Sequence, residues 1–231
     1  MLIQINSPNN KILSMKKRGY AKSLNNYSIV FWDFDGVIKL SVDIKTNAFI
    51  QLFEGSEAVV LEKIRSHHLK NGGMSRFDKI PLYARWAGVD LNPSMLQSYI
   101  DEFSRIALNS VVSSEWVPGV VQYLHSNYRL QDFYLISATP QEEINLITKQ
   151  LEIHGLFKQI FGFPTIKTLA VSQVLKKSDK DKVNSVFIGD ALIDCEAAES
   201  NGIDFIFRGK LSDISWFPKN SIRVMENFLD Q

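Results

Sequence analysis

Short runs of apolar, strand-forming residues recur along the chain, and three of them end at a polar or acidic residue. The first run covers residues 29–32, and the others cover 133–136, 186–188 and 203–207. Continuous apolar runs of this length are typical of strands that are buried on both faces. The pattern therefore predicts a sheet that is mostly parallel.

Helical patterns separate these runs in the second half of the chain. They cover residues 119–127, 141–154, 168–176 and 193–201. Alternation of strands with helices is typical of a doubly wound α/β fold, so we expect a mostly parallel, Rossmann-like sheet.

Residues 40–112 have a different pattern, which predicts helices only. Apolar residues recur at helical spacing, as in Phe77, Ile80, Tyr83 and Ala84. Glycine-containing breaks divide the stretch into four helices, predicted at 42–53, 57–70, 76–87 and 93–110. We call residues 40–112 the helical insert. It divides an α/β core predicted at residues 1–39 and 113–231, of which residues 1–26 form a loosely attached arm with a short helix around residues 11–21.

Composition and charge narrow the range of partners. Lysine and arginine total 26 and aspartate and glutamate total 25, so no bulk charge favours nucleic acid or a membrane surface. The single cysteine, Cys195, cannot form an intramolecular disulfide and is expected in the core. No apolar stretch approaches the ~20 residues of a membrane helix. We expect a cytoplasmic protein, with monomer and homodimer both open.

Potentially reactive side chains follow three of the predicted strands. Asp33 and Asp35 follow the first, Ser137 follows the second, and Asp190 follows the third. Carboxyl ends of parallel strands meet at one sheet edge, so these groups should converge there. Carboxylates in one place repel each other unless a cation is present, and an all-oxygen ligand set favours Mg²⁺. Lys167, at the start of a predicted helix, is a fourth candidate for the same site.

This set of residues suits phosphoryl transfer, which depends mainly on positioning and on charge stabilisation. A carboxylate such as Asp33 can attack phosphorus and form an aspartyl-phosphate. Asp35, two residues on, can protonate the leaving oxygen and later activate water. Lys167 and the cation would neutralise the phosphoryl group, while Ser137 and backbone amides would hydrogen-bond its oxygens.

Four motifs resemble those of the haloacid dehalogenase-like (HAD) superfamily, in family order. Asp33-Phe34-Asp35-Gly36-Val37 is similar to the first motif, and Leu135-Ile136-Ser137-Ala138-Thr139 to the second. Lys167 resembles the third, and Gly189-Asp190-Ala191-Leu192-Ile193-Asp194 the fourth. The helical insert also falls where this family has its cap domain. The resemblance runs from about residue 29 to the C-terminus.

The resemblance implies a role for each matching residue. Asp33 would be the nucleophile and a magnesium ligand, and Asp35 the general acid and base with its backbone carbonyl on the metal. Asp190 would be a further ligand, and Asp194 would orient Lys167 or act near the metal. Ser137 and Ala138 would bind phosphate with Lys167. An acid at Asp35 implies a phosphatase or a phosphomutase rather than a dehalogenase.

The branch that the chain resembles has a helical cap inserted after the first motif, as in phosphoglycolate phosphatase and beta-phosphoglucomutase-like members. Within the helical insert, residues 69–76 are similar to the cap loop that meets substrate in sugar-phosphate members. Gly73, Ser75 and Arg76 would then contact substrate, although Ser75 and Arg76 could equally form a plain helix start. The chain departs from the family pattern at Leu40, where many relatives have an acid, and at Lys45, near the place of a histidine in a related sugar phosphomutase.

The sequence thus predicts a magnesium-dependent phosphatase that acts on a small phosphorylated metabolite, with a sugar phosphate as the first expectation. Three alternatives stay open: a sugar phosphomutase, a non-catalytic protein that binds a phosphorylated metabolite, and a phosphoprotein phosphatase. His67 and His68 are neighbours on a helix, point about 100° apart and are expected at the surface.

Overall fold

The computed structural model describes residues 22–180, 182–213 and 223–231. Within them, six strands form one sheet with every neighbouring pair parallel. The strands are β1 (Ile29–Trp32), β2 (Asp132–Pro140), β3 (Gln159–Phe163), β4 (Ser185–Gly189), β5 (Asp204–Arg208) and β6 (Arg223–Met225). Their order across the sheet is β3-β2-β1-β4-β5-β6. The predicted fold class is confirmed.

Eight α-helices lie within the described residues, close to the predicted positions. Four belong to the helical insert: α1 (Val42–Leu52), α2 (Ala58–Lys70), α3 (Arg76–Trp86) and α4 (Pro93–Ser113). The others are α5 (Val120–Asn127), α6 (Gln141–Gln150), α7 (Lys167–Lys177) and α8 (Leu192–Asn201). Helix α6 ends four residues before its predicted end, and a separate 3₁₀ turn then covers His154–Leu156. None of the helices among the described residues has the length and apolarity needed to cross a membrane.

The central strand β1 explains why helices cover both faces of the sheet. Its four side chains are fully buried, and they alternate between two separate apolar clusters. Val30 and Trp32 belong to the larger cluster, which also contains residues of the helical insert, α5 and α6. Ile29 and Phe31 belong to the second cluster, with residues of α7 and α8. A strand buried on both faces has no polar side chain until it ends, which places the first aspartate at the sheet edge.

The helical insert has an aromatic core of its own, which continues into the larger cluster of the sheet. The ring centroids of Phe49 and Phe103 are 4.2 Å apart, and those of Phe49 and Tyr83 are 5.2 Å apart. These contacts join α1, α3 and α4. The predicted division of the chain at residues 40 and 112 stays a prediction, since packing between insert and sheet is continuous.

The sequence did not predict strands β3 and β6, which lie at the two edges of the sheet. Strand β3 contains Gly162, where a Cβ atom would lie only 2.5 Å from the Cα atom of Gln141. The glycine thus allows the start of α6 to approach this strand. The predicted arm helix lies outside the described residues. The described end of the arm is held in place, because Leu24 is fully buried and its carbonyl accepts a hydrogen bond from Gln131.

Candidate active site

Carboxylates from two neighbouring strands meet at the carboxyl edge of the sheet, as the sequence predicted. Asp33 follows β1, and its backbone N–H donates to the carbonyl of Ile188 in β4 at 3.0 Å. Asp190 follows β4, and Asp194 lies in the first turn of α8. Carboxylate oxygens of Asp33, Asp190 and Asp194 all lie within 4.8 Å of one another. We call these three residues the carboxylate cluster.

Gly36 allows the turn after β1 to lie directly against Asp190. Its φ angle is +74°, a conformation that favours glycine. A Cβ atom at this position would lie 2.0 Å from Oδ2 of Asp190. The Asp-x-Asp-Gly pattern therefore has a steric reason, because any side chain at position 36 would displace a carboxylate of the cluster.

Lys167 is buried between two members of the carboxylate cluster. Its Nζ lies 2.9 Å from Oδ1 of Asp33 and 2.6 Å from Oδ1 of Asp194. The second oxygen of Asp194 accepts a hydrogen bond from the backbone N–H of Ala191 at 3.1 Å. Asp194 therefore both begins helix α8 and orients Lys167. These contacts join the third and fourth motifs of the sequence.

The negative charge of the carboxylate cluster exceeds the positive charge of Lys167. When ionised, its three carboxylates and the ammonium of Lys167 have a formal sum of −2. Burial raises the pKa of Asp33 to about 7, with Lys167 opposing the rise and Asp194 and Asp35 adding to it. Burial, with the charges of Asp33 and Asp194, also raises the pKa of Asp190 well above its usual range.

The cluster fits a hard divalent cation. Its donors are oxygen atoms only, they lie close together, and the missing charge is that of a dication. Both carboxylate oxygens of Asp194 already accept hydrogen bonds, one from Lys167 and one from the backbone N–H of Ala191. Asp33 and Asp190 are therefore the carboxylates that suit direct contact with a metal ion.

Asp35 has partners that the carboxylate cluster does not share. Its Oδ1 accepts a hydrogen bond from Ser41 Oγ at 2.6 Å, and its Oδ2 forms an ion pair with Lys45. Burial raises the pKa of Asp35, but the charge and hydrogen bond of Lys45, with the bond from Ser41, bring it below the usual value. Lys45 also donates to Thr139 Oγ1 at 2.9 Å. The sequence noted Lys45 only as a departure from the family pattern and gave it no role.

A cavity of about 550 Å³ lies between the sheet edge and the helical insert. Six of the predicted site residues line it: Asp33, Asp35, Gly73, Arg76, Ala138 and Asp190. Lys167 and Asp194 lie behind this lining, through their contacts with Asp33 and Ala191. Ser137 is also behind it, where its Oγ accepts a hydrogen bond from the backbone N–H of Thr139 at 3.1 Å. The predicted contact of Ser137 with phosphate stays a prediction.

Gly73 brings the loop between α2 and α3 against the motif residues. Its φ angle is +76°, and a Cβ atom there would lie 2.4 Å from Cγ2 of Ile193 and 3.7 Å from Nζ of Lys167. Ser75 does not line the cavity and instead begins α3, where its Oγ accepts from the backbone N–H of Phe77 at 3.3 Å. The predicted contacts of Gly73 and Ser75 with substrate stay predictions. The hydrogen bond of Ser75 fits the other interpretation of this residue, a helix N-cap.

Arg76 lines the cavity but already has protein partners. Its guanidinium donates to both carboxylate oxygens of Glu143 in α6, at 2.6 and 2.8 Å, and to Ser104 Oγ at 2.6 Å. It also lies over the ring of Phe103, 4.6 Å from its centroid. The predicted contact with substrate stays a prediction, and the ion pair with Glu143 was not expected.

Two further polar side chains of the helical insert are buried, and the sequence gave them no role. His68 is only 7% exposed, and its Nδ1 lies 2.9 Å from Nζ of Lys79, which is 1% exposed. The prediction that His68 lies at the surface is wrong, because its ring packs on Phe49 at 5.0 Å. Helical spacing could have shown that Lys79 lies on a buried face of α3. It is three residues after Arg76 and four before Tyr83, and both of these side chains are buried.

Fold and site together place the protein among Rossmann-like α/β hydrolases with an acidic site. The model of the haloacid dehalogenase-like hydrolase family matches residues 30–207. The chain therefore belongs to that family, which confirms the predicted family and the predicted hydrolase class. None of the curated proteins compared with the chain matches it.

Solved structures of low sequence identity share the fold. A predicted phosphoglycolate phosphatase from Haemophilus somnus is 17% identical, with a TM-score of 0.67 over 89% of this chain and 96% of its own. CbbY from Rhodobacter sphaeroides, in complex with xylulose-(1,5)bisphosphate, is 14% identical, with a TM-score of 0.68 over 88% and 96%. YfnB from Bacillus subtilis, described as a HAD-hydrolase bound to magnesium, is 13% identical, with a TM-score of 0.64 over 87% and 95%.

Proposed function

We propose that the protein is a magnesium-dependent phosphomonoester hydrolase that acts through an aspartyl-phosphate on Asp33. The observation that supports this proposal best is the ion pair between Asp33 and Lys167, with an O–N distance of 2.9 Å. Asp33 and Asp35 both line the cavity. A carboxylate held by a buried ammonium is fixed in position as a nucleophile, and the ammonium also offers charge to a phosphoryl group.

The first half-reaction transfers the phosphoryl group to the protein. A carboxylate oxygen of Asp33 forms a bond to phosphorus while the bond from phosphorus to the ester oxygen breaks. Asp35, when protonated, gives its proton to that oxygen, which leaves as an alcohol. The products of this step are the alcohol, the Asp33 acyl phosphate and the Asp35 carboxylate. Lys167 balances charge on the phosphoryl oxygens, and Asp194 keeps Lys167 in place.

The second half-reaction restores the enzyme. The Asp35 carboxylate takes a proton from a water molecule as the water oxygen attacks phosphorus, and the bond to Asp33 breaks. Inorganic phosphate leaves, Asp33 is again a carboxylate, and Asp35 is protonated for the next cycle. One residue thus acts as acid and then as base, which requires it to lie within reach of the same phosphorus atom in both steps.

The metal would be held by Asp33, Asp190 and the backbone carbonyl of Asp35. When bound, Mg²⁺ supplies positive charge to the phosphoryl oxygens and to the carboxylate cluster. Ala138 and Thr139 line the cavity at the end of β2, and we propose that Ala138, with Ser137 just behind it, contributes phosphate contacts.

The cavity supports a small phosphorylated metabolite as substrate, with a sugar phosphate as first expectation. Its volume of about 550 Å³ lies in the usual range for small-molecule sites. The helical insert covers the carboxylate cluster, and closure over substrate would exclude bulk water from the acyl phosphate. The ligand of CbbY, xylulose-(1,5)bisphosphate, is consistent with this substrate class.

The proposal is tested by phosphate release from a panel of sugar phosphates, nucleotides and 2-phosphoglycolate, with Mg²⁺ and with a chelator. Asp33→Asn should abolish release, whereas Asp43→Asn, at an exposed position of α1, should leave it unchanged. Release by Asp33→Asn at the wild-type rate would refute the nucleophile. Dependence on a bisphosphate activator, with phosphate returned to product, would instead identify a phosphomutase.

A further inference from the structure

Lys79 is a buried lysine of α3 that lines the cavity. It is 1% exposed, yet it lines the cavity, and its Nζ contacts Nδ1 of His68. Among the described residues, no carboxylate lies within salt-bridge distance of it. An ammonium has three N–H donors, and one imidazole nitrogen accepts only one of them. Lys79 therefore has hydrogen-bonding capacity that the described part of the chain does not use.

The surroundings of Lys79 penalise its charge. Burial and the positive charge of Lys45 lower the pKa of Lys79 to about 7, against smaller opposing effects of Asp35 and Asp190. Burial and the charge of Lys79 also lower the pKa of His68 to about 3, so this imidazole is neutral and accepts the hydrogen bond. A buried cation without a counter-ion is unfavourable, and an anion that enters the cavity would relieve the penalty.

Lys79 differs in its partners from the other buried or half-buried cations of the helical insert that line the cavity. Arg76 is held by both oxygens of Glu143, and Lys45 is held by Asp35 and Thr139. The sheet edge supplies the carboxylate cluster. Lys79 therefore faces the same cavity as the carboxylate cluster, from the helical insert, and lies near enough to Asp35 and Asp190 for their charges to act on it.

We propose that the substrate carries a second anionic group, remote from the transferred phosphoryl group, and that Lys79 binds this group. A carboxylate and a second phosphate have the same relevant chemistry, since both are anions that accept hydrogen bonds from an ammonium. The assignment of the transferred phosphoryl end rests on the proposed function. The contact of Lys79 with a second anion is tested separately from turnover.

Matched substrate pairs test the proposal directly. One pair is 2-phosphoglycolate and 2-hydroxyethyl phosphate, which differ by a carboxylate, and the other is a sugar bisphosphate and its monophosphate. The wild-type protein should prefer the anionic member of at least one pair in kcat/KM. Lys79→Met should lower kcat/KM for that member roughly 10- to 100-fold, mainly through KM, and change the neutral member little. The preferred pair identifies the anion as carboxylate or phosphate.

Control variants separate substrate binding from packing. Lys63→Met removes a lysine from an exposed position of α2 and should change neither member of a pair. Equal loss for both members with Lys79→Met, or no preference by the wild-type protein in either pair, would overturn the proposal. The absence of a preference in the wild-type protein overturns the proposal even where Lys79→Met fails to fold.

Calorimetric binding distinguishes this proposal from the proposed function. Asp33→Asn protein, with and without Lys79→Met, is titrated with 2-phosphoglycolate, 2-hydroxyethyl phosphate and the sugar phosphate pair. Tighter binding of the anionic member that depends on Lys79 supports the second-anion site even if no compound is hydrolysed. Phosphate release without such a preference supports the hydrolase and refutes the second-anion site.

Discussion

Arg76 in α3 and Glu143 in α6 form a bidentate ion pair that joins the helical insert to the α/β core, with N–O distances of 2.6 and 2.8 Å. Next to it, the rings of Phe77 and Phe163 stack across the same boundary with centroids 4.6 Å apart. The ion pair reaches α6, and the stacked rings reach the end of β3. They hold the insert over the cavity in the arrangement that the structure describes.

We expect Glu143→Gln to weaken this arrangement. The side chains of Arg76 and Glu143 are 4% and 13% exposed, so the variant leaves a buried guanidinium without its counter-ion. Removing one partner of a buried pair costs up to about 3–5 kcal/mol, and opening of the insert would reduce that cost by hydrating Arg76. Hydrogen exchange in α3 should accelerate, and KM for the best substrate should rise.

Glu142→Gln is the matched control, since Glu142 is the exposed neighbour on the same helix. It should leave exchange in α3 and KM unchanged. Equal exchange rates in α3 for wild type and Glu143→Gln would show that the ion pair does not hold the insert.

The sheet and the position of its carboxylates could be predicted because both depend on local pattern. Apolar runs buried on both faces define β1, β2, β4 and β5, and parallel strands bring their carboxyl ends to one edge. Asp33 and Asp190 therefore had to be close whatever the details of packing. Strands β3 and β6 escaped prediction because one contains a glycine and the other has only three residues, so neither has an apolar run.

The contacts between the helical insert and the core could not be predicted, because they depend on how distant helices pack. Glu143 has no motif around it, and nothing in the sequence around Arg76 indicates that its guanidinium pairs with Glu143 in another helix. The sequence gave Lys79 no role, although its spacing to Tyr83 places it on the buried face of α3. Tertiary packing, rather than local sequence, decides which charges become buried.

Gly36→Ala should damage the carboxylate cluster. The new Cβ atom would lie 2.0 Å from Oδ2 of Asp190, at a φ of +74° that costs alanine about 1–2 kcal/mol. Asp190 must then move, so the affinity for Mg²⁺, measured by calorimetry, should fall together with the melting temperature. Gly55→Ala, where a Cβ atom meets nothing within 4 Å, should leave Mg²⁺ affinity unchanged. Wild-type Mg²⁺ affinity in Gly36→Ala would contradict the steric role of Gly36 beside Asp190.

Stabilisation by Mg²⁺ should increase with pH. The pKa of Asp33 is about 7 in the folded protein and 3.8 in its unperturbed state. The folded state retains this proton while the unfolded state releases it, so the contribution of Asp33 to stability is lost between about pH 4 and 7 in the absence of metal. Above pH 7 the cluster is anionic and binds Mg²⁺ without displacing this proton.

The measurement is the difference in melting temperature between Mg²⁺ and a chelator, at about pH 5.5 and about pH 8. We expect the larger difference at the higher pH and a much smaller pH effect in Asp33→Asn. An equal difference at both pH values in the wild-type protein would argue against Asp33 as a ligand that loses its proton on metal binding.

Lys45→Met should move the alkaline limb of the pH profile of kcat/KM to higher pH. Asp35 must be protonated to act as the acid of the first step, so activity falls as pH rises through its pKa. Burial raises that pKa, and the charge and hydrogen bond of Lys45 bring it below the usual value. Without Lys45, the pKa of Asp35 rises and the protonated form persists to higher pH.

Two variants make this assignment specific to Asp35. Ser41→Ala removes the other hydrogen bond that lowers the pKa of Asp35, at 2.6 Å, so its limb should shift in the same direction. Lys63→Met removes a lysine from the same helical insert without contact to the site, and its profile should match the wild type. A limb that stays in place in both Lys45→Met and Ser41→Ala would assign the acid to another group. A shift of the limb to higher pH in both variants would identify Asp35 as the proton donor whose pKa Lys45 and Ser41 lower.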